Sequence, residues 1–403
     1  MNKIYRIGFL VRTSSKKLTT GLACLFLTMR ALAHVPVKDS LVILKGHLPS
    51  SYDQSKIQLF YFSDKGRVKD SAVIHDGSFE IRNYIHGIYK AFLSVDRLGE
   101  KGIKTNGDYK TVYLEPGQTF IITGADWKDI TITGGPAQTD WTALDKMTVS
   151  VTRELEAVST EKWNKSGAGD ATAAKALEEK ERTLRIRQHQ LQDQFIKEHP
   201  ASWVSWDIVQ ERSQWMIDDD GLLAVFNRLD AKYRNTPAGA SAEIRIVGGV
   251  NAGVGKTAPD FTAMDTLGRN ITLSSLRGQY VLVDFWASWC GFCRAETPNI
   301  KKAWDKFKDK GLSIVSVSYD DSKDKWMQAI HEDKMPWLQI SELKDMLHAP
   351  SAKKYGLIGI PMIILLDPTG KIVARNLRGE ELQRKVAEAL DGGGTHGTAR
   401  RNL

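Results

Sequence analysis

The pattern of apolar and polar positions changes character twice along the chain. From Leu41 to about Ile132, short runs rich in β-branched and aromatic residues (56–61, 71–75, 78–82, 111–114, 119–123) are broken by turn signals. Asp76-Gly77 sits between two runs as a hairpin turn, and Glu115-Pro116-Gly117-Gln118 marks another. These features predict an all-β N-terminal domain over 34–136, with no clustered His, Cys or paired carboxylates at ligand or catalytic spacing. Over 137–250 the spacing becomes helical, through 140–160, 171–199, 202–211 and 221–233, and predicts a helical domain. Trp203, Trp206, Trp215 and Phe226 read as packing between those helices rather than as a ligand-stacking platform. The charge run 178–187 reads as a solvated helix face.

Residues 251–260 read as a linker that opens an α/β domain over 251–391. Gly255-Lys256-Thr257 imitates the end of a phosphate-binding loop. The spacing of that loop requires glycine at 250, where Val250 stands, and Pro259 blocks the helix that should follow. From Phe261 onward strand and helix patterns alternate. The continuous apolar run 280–287 predicts a central buried strand, followed by a helix over 290–310. Further strands are expected at 312–318, 362–366 and, after the Pro368-Thr369-Gly370 turn, 371–375, with a closing helix over 380–390. Alternation of this kind predicts an α/β layer around a mostly parallel core. The glycine-rich tail 392–403 is expected to be disordered.

Composition sharpens this picture. A chain of 403 residues with 42% hydrophobic and 26% charged content has the make-up of a multidomain globular protein. Its formal charge of +8 invites a nucleic-acid partner. Residues 1–33, however, hold Lys3, Arg6, Arg12, Lys16, Lys17 and Arg30 and no acidic residue, then an apolar stretch and Ala31-Leu32-Ala33. That order predicts a secretory signal peptide cleaved before His34. Removing its six positive charges from +8 leaves +2, so no electrostatic case for nucleic acid remains. Cys24 lies within the apolar stretch, with glycine where a lipidation signal wants an aliphatic residue and most of the apolar run behind it. The mature chain then keeps two cysteines, Cys290 and Cys293.

Two cysteines separated by two residues, at the junction of a buried strand and a helix, suit reversible disulfide exchange. The helix start offers unpaired N–H groups and the positive end of its dipole, which stabilise a thiolate at Cys290. Cys293 lies one turn on, close enough to resolve a mixed disulfide. A structural zinc would need four ligands, and the mature chain offers no third cysteine and no His-x₃₋₅-His pair. A purely structural bridge closing so small a loop would stabilise little.

The segment Val281-Leu282-Val283-Asp284-Phe285-Trp286-Ala287-Ser288-Trp289-Cys290-Gly291-Phe292-Cys293 closely resembles the active-site segment of thioredoxins. Gly359-Ile360-Pro361 resembles their cis-proline loop. Ala258-Pro259-Asp260-Phe261, Leu273-Ser274-Ser275-Leu276-Arg277-Gly278 and Glu296 in C-x-x-C-x-x-E are similar to the TlpA/ResA-like extracytoplasmic thioredoxins of the AhpC/TSA-redoxin superfamily. Lys69-Asp70-Ser71, Asp76-Gly77-Ser78-Phe79 and Tyr113-Leu114-Glu115-Pro116-Gly117 resemble the uncharacterised β domain that precedes such thioredoxins in Bacteroidetes. The resemblance implies that Asp284 is a buried carboxylate relaying a proton to or from Cys293, and that Glu296 tunes the thiols. It implies further that Trp289 shields the sulfur, that Pro298 kinks the active-site helix, and that Pro361 is cis and shapes a groove in which Ile360 offers main-chain pairing to an extended substrate. Phe292 departs from the family, which usually has proline there, so thioredoxin's reduction potential does not carry over. It places an aromatic beside the nucleophile, which points to an apolar peptide or protein face as substrate.

The sequence thus predicts an extracytoplasmic, periplasmic thiol–disulfide oxidoreductase with no cofactor beyond its own dithiol. Its implied partners are protein or peptide disulfides, apocytochrome c among them, and a membrane electron donor of the DsbD or CcdA type. Two alternatives stay open. A peroxiredoxin would need a P-x-x-x-[ST]-x-x-C arrangement, which is absent around Cys290. A binding or chaperone module would use its N-terminal half on a partner and keep the dithiol as an accessory.

Overall fold

The computed structural model describes residues 39–96, 109–214 and 220–392. The expected signal peptide with Cys24, Trp215 and the tail beyond residue 392 lie outside the described residues. Among those described, no helix is long and apolar enough to cross a membrane.

The N-terminal region is two packed four-stranded sheets. Its strands are β1 (Ser40–His47), β2 (Lys56–Ser63), β3 (Gly66–Val73), β4 (Ser78–Ile85), β5 (Tyr89–Asp96), β6 (Lys110–Leu114), β7 (Thr119–Thr123) and β8 (Thr131–Thr133). One sheet runs β4-β1-β7-β8 and the other β3-β2-β5-β6. Inward-facing Leu44, Ile81 and Phe120 of the first meet Leu59, Leu93 and Val112 of the second in a shared core, as alternation along each strand requires.

The turn at Asp76-Gly77 corrects the expected hairpin. His75 and Ser78 exchange both backbone hydrogen bonds, at 2.9 and 2.8 Å, and Asp76 and Gly77 take φ of 47° and 73°. A Cβ at Gly77 would lie 2.5 Å from the Leu48 carbonyl. Beyond that tight turn the strands part, β3 pairing with β2 and β4 with β1. The turn therefore joins two sheets. Glu115–Gln118 does the same between β6 and β7, with Gly117 at φ 77°.

The middle region begins with α1 (Pro136–Gly167) and α2 (Ala171–Glu198), packed on each other across a short turn. Leu144, Val151, Leu155 and Val158 form the buried stripe of α1. The run expected as one helix over 221–233 is two, α4 (Asp220–Arg228) and α5 (Ala231–Arg234), following α3 (Trp203–Arg212). The break falls at Asp230, whose carboxylate accepts the Lys232 N–H at 2.8 Å and caps α5. Trp206 stacks on Tyr233 and is buried with Phe226.

The last helix of this region, α6 (Pro237–Asn251), crosses α9 (Pro350–Lys354) of the C-terminal region at bare backbone. A Cβ on Gly248 would stand 2.4 Å from the Gly356 nitrogen. On the other side, the Tyr113 hydroxyl donates to Asp207 at 2.6 Å and the Lys90 ammonium pairs with Asp207 and Glu211.

The C-terminal region holds β9 (Thr262–Asp265), β10 (Asn270–Thr272), β11 (Tyr280–Trp286), α7 (Gly291–Phe307), β12 (Leu312–Ser318), α8 (Lys323–Glu332), β13 (Leu338–Ser341), β14 (Met362–Leu366), β15 (Ile372–Arg375) and α10 (Gly379–Gly392). Its sheet runs β10-β9-β13-β12-β11-β14-β15. Only the β11–β12 and β12–β13 pairings are parallel, so the expected mostly parallel core is a mixed sheet. The two crossovers advance in one direction and put α7 and α8 on one face, where α10 joins them. The opposite face packs on α9. Residues 255–258 are tied to β15 and the turn before it: Gly255 N–H donates to the Ile372 carbonyl at 2.8 Å and Ala258 N–H to the Gly370 carbonyl at 2.9 Å.

Candidate functional site

Strand β11 is buried over almost its whole length because it lies inside the sheet, between β12 and β14, and is covered on both faces. It delivers the chain to the start of α7 through Ala287–Trp289. Ser288 fixes that approach, since both its N–H, at 3.0 Å, and its hydroxyl, at 2.6 Å, donate to the buried carboxylate of Asp320. Cys290 is the N-cap of α7, and its sulfur accepts the Cys293 N–H at 3.2 Å. The two cysteines form a disulfide. Each is nearly buried, while their neighbours Trp289 and Phe292 are 62% and 84% exposed. A covered sulfur pair thus sits between two protruding aromatic side chains. Pro298 lies inside α7, and Arg294 forks onto Asp333 at 2.7 and 2.9 Å just past the end of α8.

Ile360-Pro361 is a cis peptide, and the Ile360 carbonyl oxygen lies 3.6 Å from Cys290 Sγ. The loop and the disulfide are therefore in contact.

Asp284 points to the sheet face that carries Leu282 and Trp286, the face covered by α7 and Cys293. Its carboxylate accepts the Ser316 hydroxyl at 2.9 Å, and Ser316 in turn accepts the Trp337 indole N–H at 2.9 Å. Burial pushes its pKa up to about 7, against the opposing effects of the Ser316 hydrogen bond and the Arg378 charge. Glu296 does not turn toward the sulfurs through any hydrogen bond. Its carboxylate accepts the Gly379 N–H at 2.7 Å and so holds the first residue of α10, and its charge acts on both Asp284 and Arg378.

The structure thus brings Cys290, Cys293, Trp289, Phe292, Ile360 and Pro361 together, with Asp284 and Glu296 behind them. Ser316, Trp337, Asp320 and Arg378 complete the surroundings without having been singled out in the sequence. The serines at 316 and 318 interrupt an apolar strand run and were the available signal for two of these contacts. Among the described residues no group of three or more His, Cys, Asp or Glu could hold a metal ion.

The chain is similar to several known proteins. Residues 254–375 match the AhpC/TSA family, and residues 42–141 match a domain of unknown function, DUF4369. The thiol–disulfide oxidoreductase ResA of Bacillus thuringiensis subsp. konkukian is 29% identical over 139 residues, 34% of this chain and 76% of that protein. Nucleoredoxin of Bos taurus is 37% identical over 117 residues, 28% of this chain and 26% of that protein. The thioredoxin domain of a thiol–disulfide oxidoreductase from Bacteroides vulgatus shares 44% identity, covers 34% of this chain and 96% of its own, and superposes with a TM-score of 0.32.

Proposed function

We propose that this thiol–disulfide oxidoreductase, whose redox pair sits in an AhpC/TSA-family domain at residues 254–375, reduces protein disulfides outside the cytoplasm. The observation that carries the reading is the Cys290–Cys293 pair on the first turn of α7, with the Ile360 carbonyl beside Cys290. In the dithiol form, the Cys290 thiolate draws on the N–H groups and dipole at the helix start. It attacks one sulfur of a substrate disulfide and expels the other as thiolate, which leaves a mixed disulfide. Cys293 then gives its proton to the Asp284 carboxylate, and its thiolate attacks Cys290 Sγ and releases the second substrate thiolate. Two electrons pass to the substrate and the enzyme ends as the disulfide. A dithiol donor in the membrane, of the DsbD or CcdA type, would restore it. The export reading rests on the basic, apolar, Ala-x-Ala order of residues 1–33.

Trp289 and Phe292 supply an apolar rim, and Ile360 and Pro361 a backbone edge, for an extended segment of a substrate such as apocytochrome c. Insulin reduction driven by dithiothreitol tests the reading. Wild-type protein should turn over, Cys290→Ser should be inactive, Cys293→Ser should accumulate mixed disulfide, and Phe292→Ala should lose rate selectively on apolar peptides. Retained turnover in Cys290→Ser, or peroxide consumption without any disulfide substrate, would overturn it.

A further inference from the structure

Arg378 stands between β15 and α10, half-buried, at the point where three parts of the site converge. The backbone on each side of it is pinned. Leu377 N–H donates to the Ile363 carbonyl at 3.2 Å, and Ile363 is the residue opposite Asp284 in the β11–β14 ladder. Gly379 N–H donates to Glu296 at 2.7 Å. The guanidinium then uses both arms: Nη1 donates to the Leu377 carbonyl at 2.7 Å, and Nη2 donates to the carbonyl of Pro361. A residue on one side of the domain thereby holds the loop that touches Cys290.

We propose that Arg378 is a positioning residue of the redox centre, fixing the Ile360-Pro361 loop through the Pro361 carbonyl and supplying the fixed positive charge opposite Asp284 and Glu296. The groups that face Asp284 are Ser316 from β12, Glu296 from α7 and Arg378 ahead of α10. Of these only Arg378 is a cation, so beside the Ser316 hydrogen bond it is the one charge that opposes burial and the Glu296 carboxylate. Arginine suits the place because its planar fork serves two carbonyls at once while remaining charged. Lysine would keep the charge and lose the fork; glutamine would lose the charge.

The proposal rests on the role given above to Asp284, and its test separates the two. On wild type, Arg378→Lys and Arg378→Gln in the full chain, the Asp284 carboxyl is titrated by ¹³C NMR, a readout that needs no substrate. The pH profile and KM of insulin reduction are measured beside it. In Arg378→Gln the Asp284 midpoint should rise by about one pH unit, with the activity profile following, and KM should rise about tenfold. In Arg378→Lys the midpoint should stay at the wild-type value while KM rises. An unmoved midpoint in Arg378→Gln, or one moved equally far in Arg378→Lys, would sink the proposal. If Arg378→Gln does not fold, a wild-type KM in Arg378→Lys would do so. Failure of wild type to reduce insulin would instead count against the proposed function, while the NMR titration still judges Arg378.

Discussion

Burial keeps the Asp284 proton in place up to a pH of about 7, and that same burial makes ionisation of the carboxyl a cost to folding. An unfolded chain releases this proton near the ordinary value of 3.8, so the folded state binds more protons between there and about 7. Stability contributed at this site therefore falls as pH rises through that window and is fully lost above it, on the order of 4 kcal/mol. Asp284→Asn removes the ionisation. It should raise the urea midpoint more at pH 8 than at pH 5, and it should slow release of substrate from the mixed disulfide. Equal midpoint changes at the two pH values would mean that the carboxyl titrates at the same pH in the folded and the unfolded chain. Asp284 was legible in the sequence through the resemblance of residues 281–293 to the thioredoxin active-site segment. Arg378 was not, since its partners Pro361 and Glu296 are brought to it only by the folded sheet and by α10.

At the scale of elements, local signals travelled well and pairings did not. The strand into β11, the N-cap at Cys290 and the amphipathic α7 are written in consecutive residues. The type I′ turn at Asp76-Gly77 is written equally locally, yet a turn does not dictate whether the strands leaving it continue to pair, and here they enter different sheets. β13 carries no comparable local signal, because Leu338–Ser341 is four residues long and half polar. The crossing of α6 over α9 is another pairing that only the fold discloses. Gly248 there has the Lys353 carbonyl and the Gly356 nitrogen each 2.4 Å from where a Cβ would be. Neither backbone atom can move alone, so Gly248→Ala should destabilise by about 1–3 kcal/mol. Thermal unfolding reads this directly, and an unchanged Tm would show that the crossing has room.

Across the whole molecule, the redox region is not an appendage on a tether. Arg375 donates to the Gly249 carbonyl at 3.2 Å, and residues 255–258 are bonded to β15 and the turn before it, so the stretch that reads as a linker in sequence is held along its length. A fragment beginning at residue 253 loses α6 and bares the outer side of α9. It should melt about 5 °C below one beginning at residue 237. Equal melting temperatures would show that α6 contributes nothing to the redox region. The strand order has a further consequence, for synthesis. A chain emerges from its N-terminus, and β11 finds its β14 neighbour only after α7, β12, α8, β13 and α9 have been made. Until then its open edge can template wrong pairing. Neither cysteine is covered by the finished sheet through this interval. Because they lie three residues apart, their pairing needs no sheet to bring them together, unlike the pairing of β11 with β14.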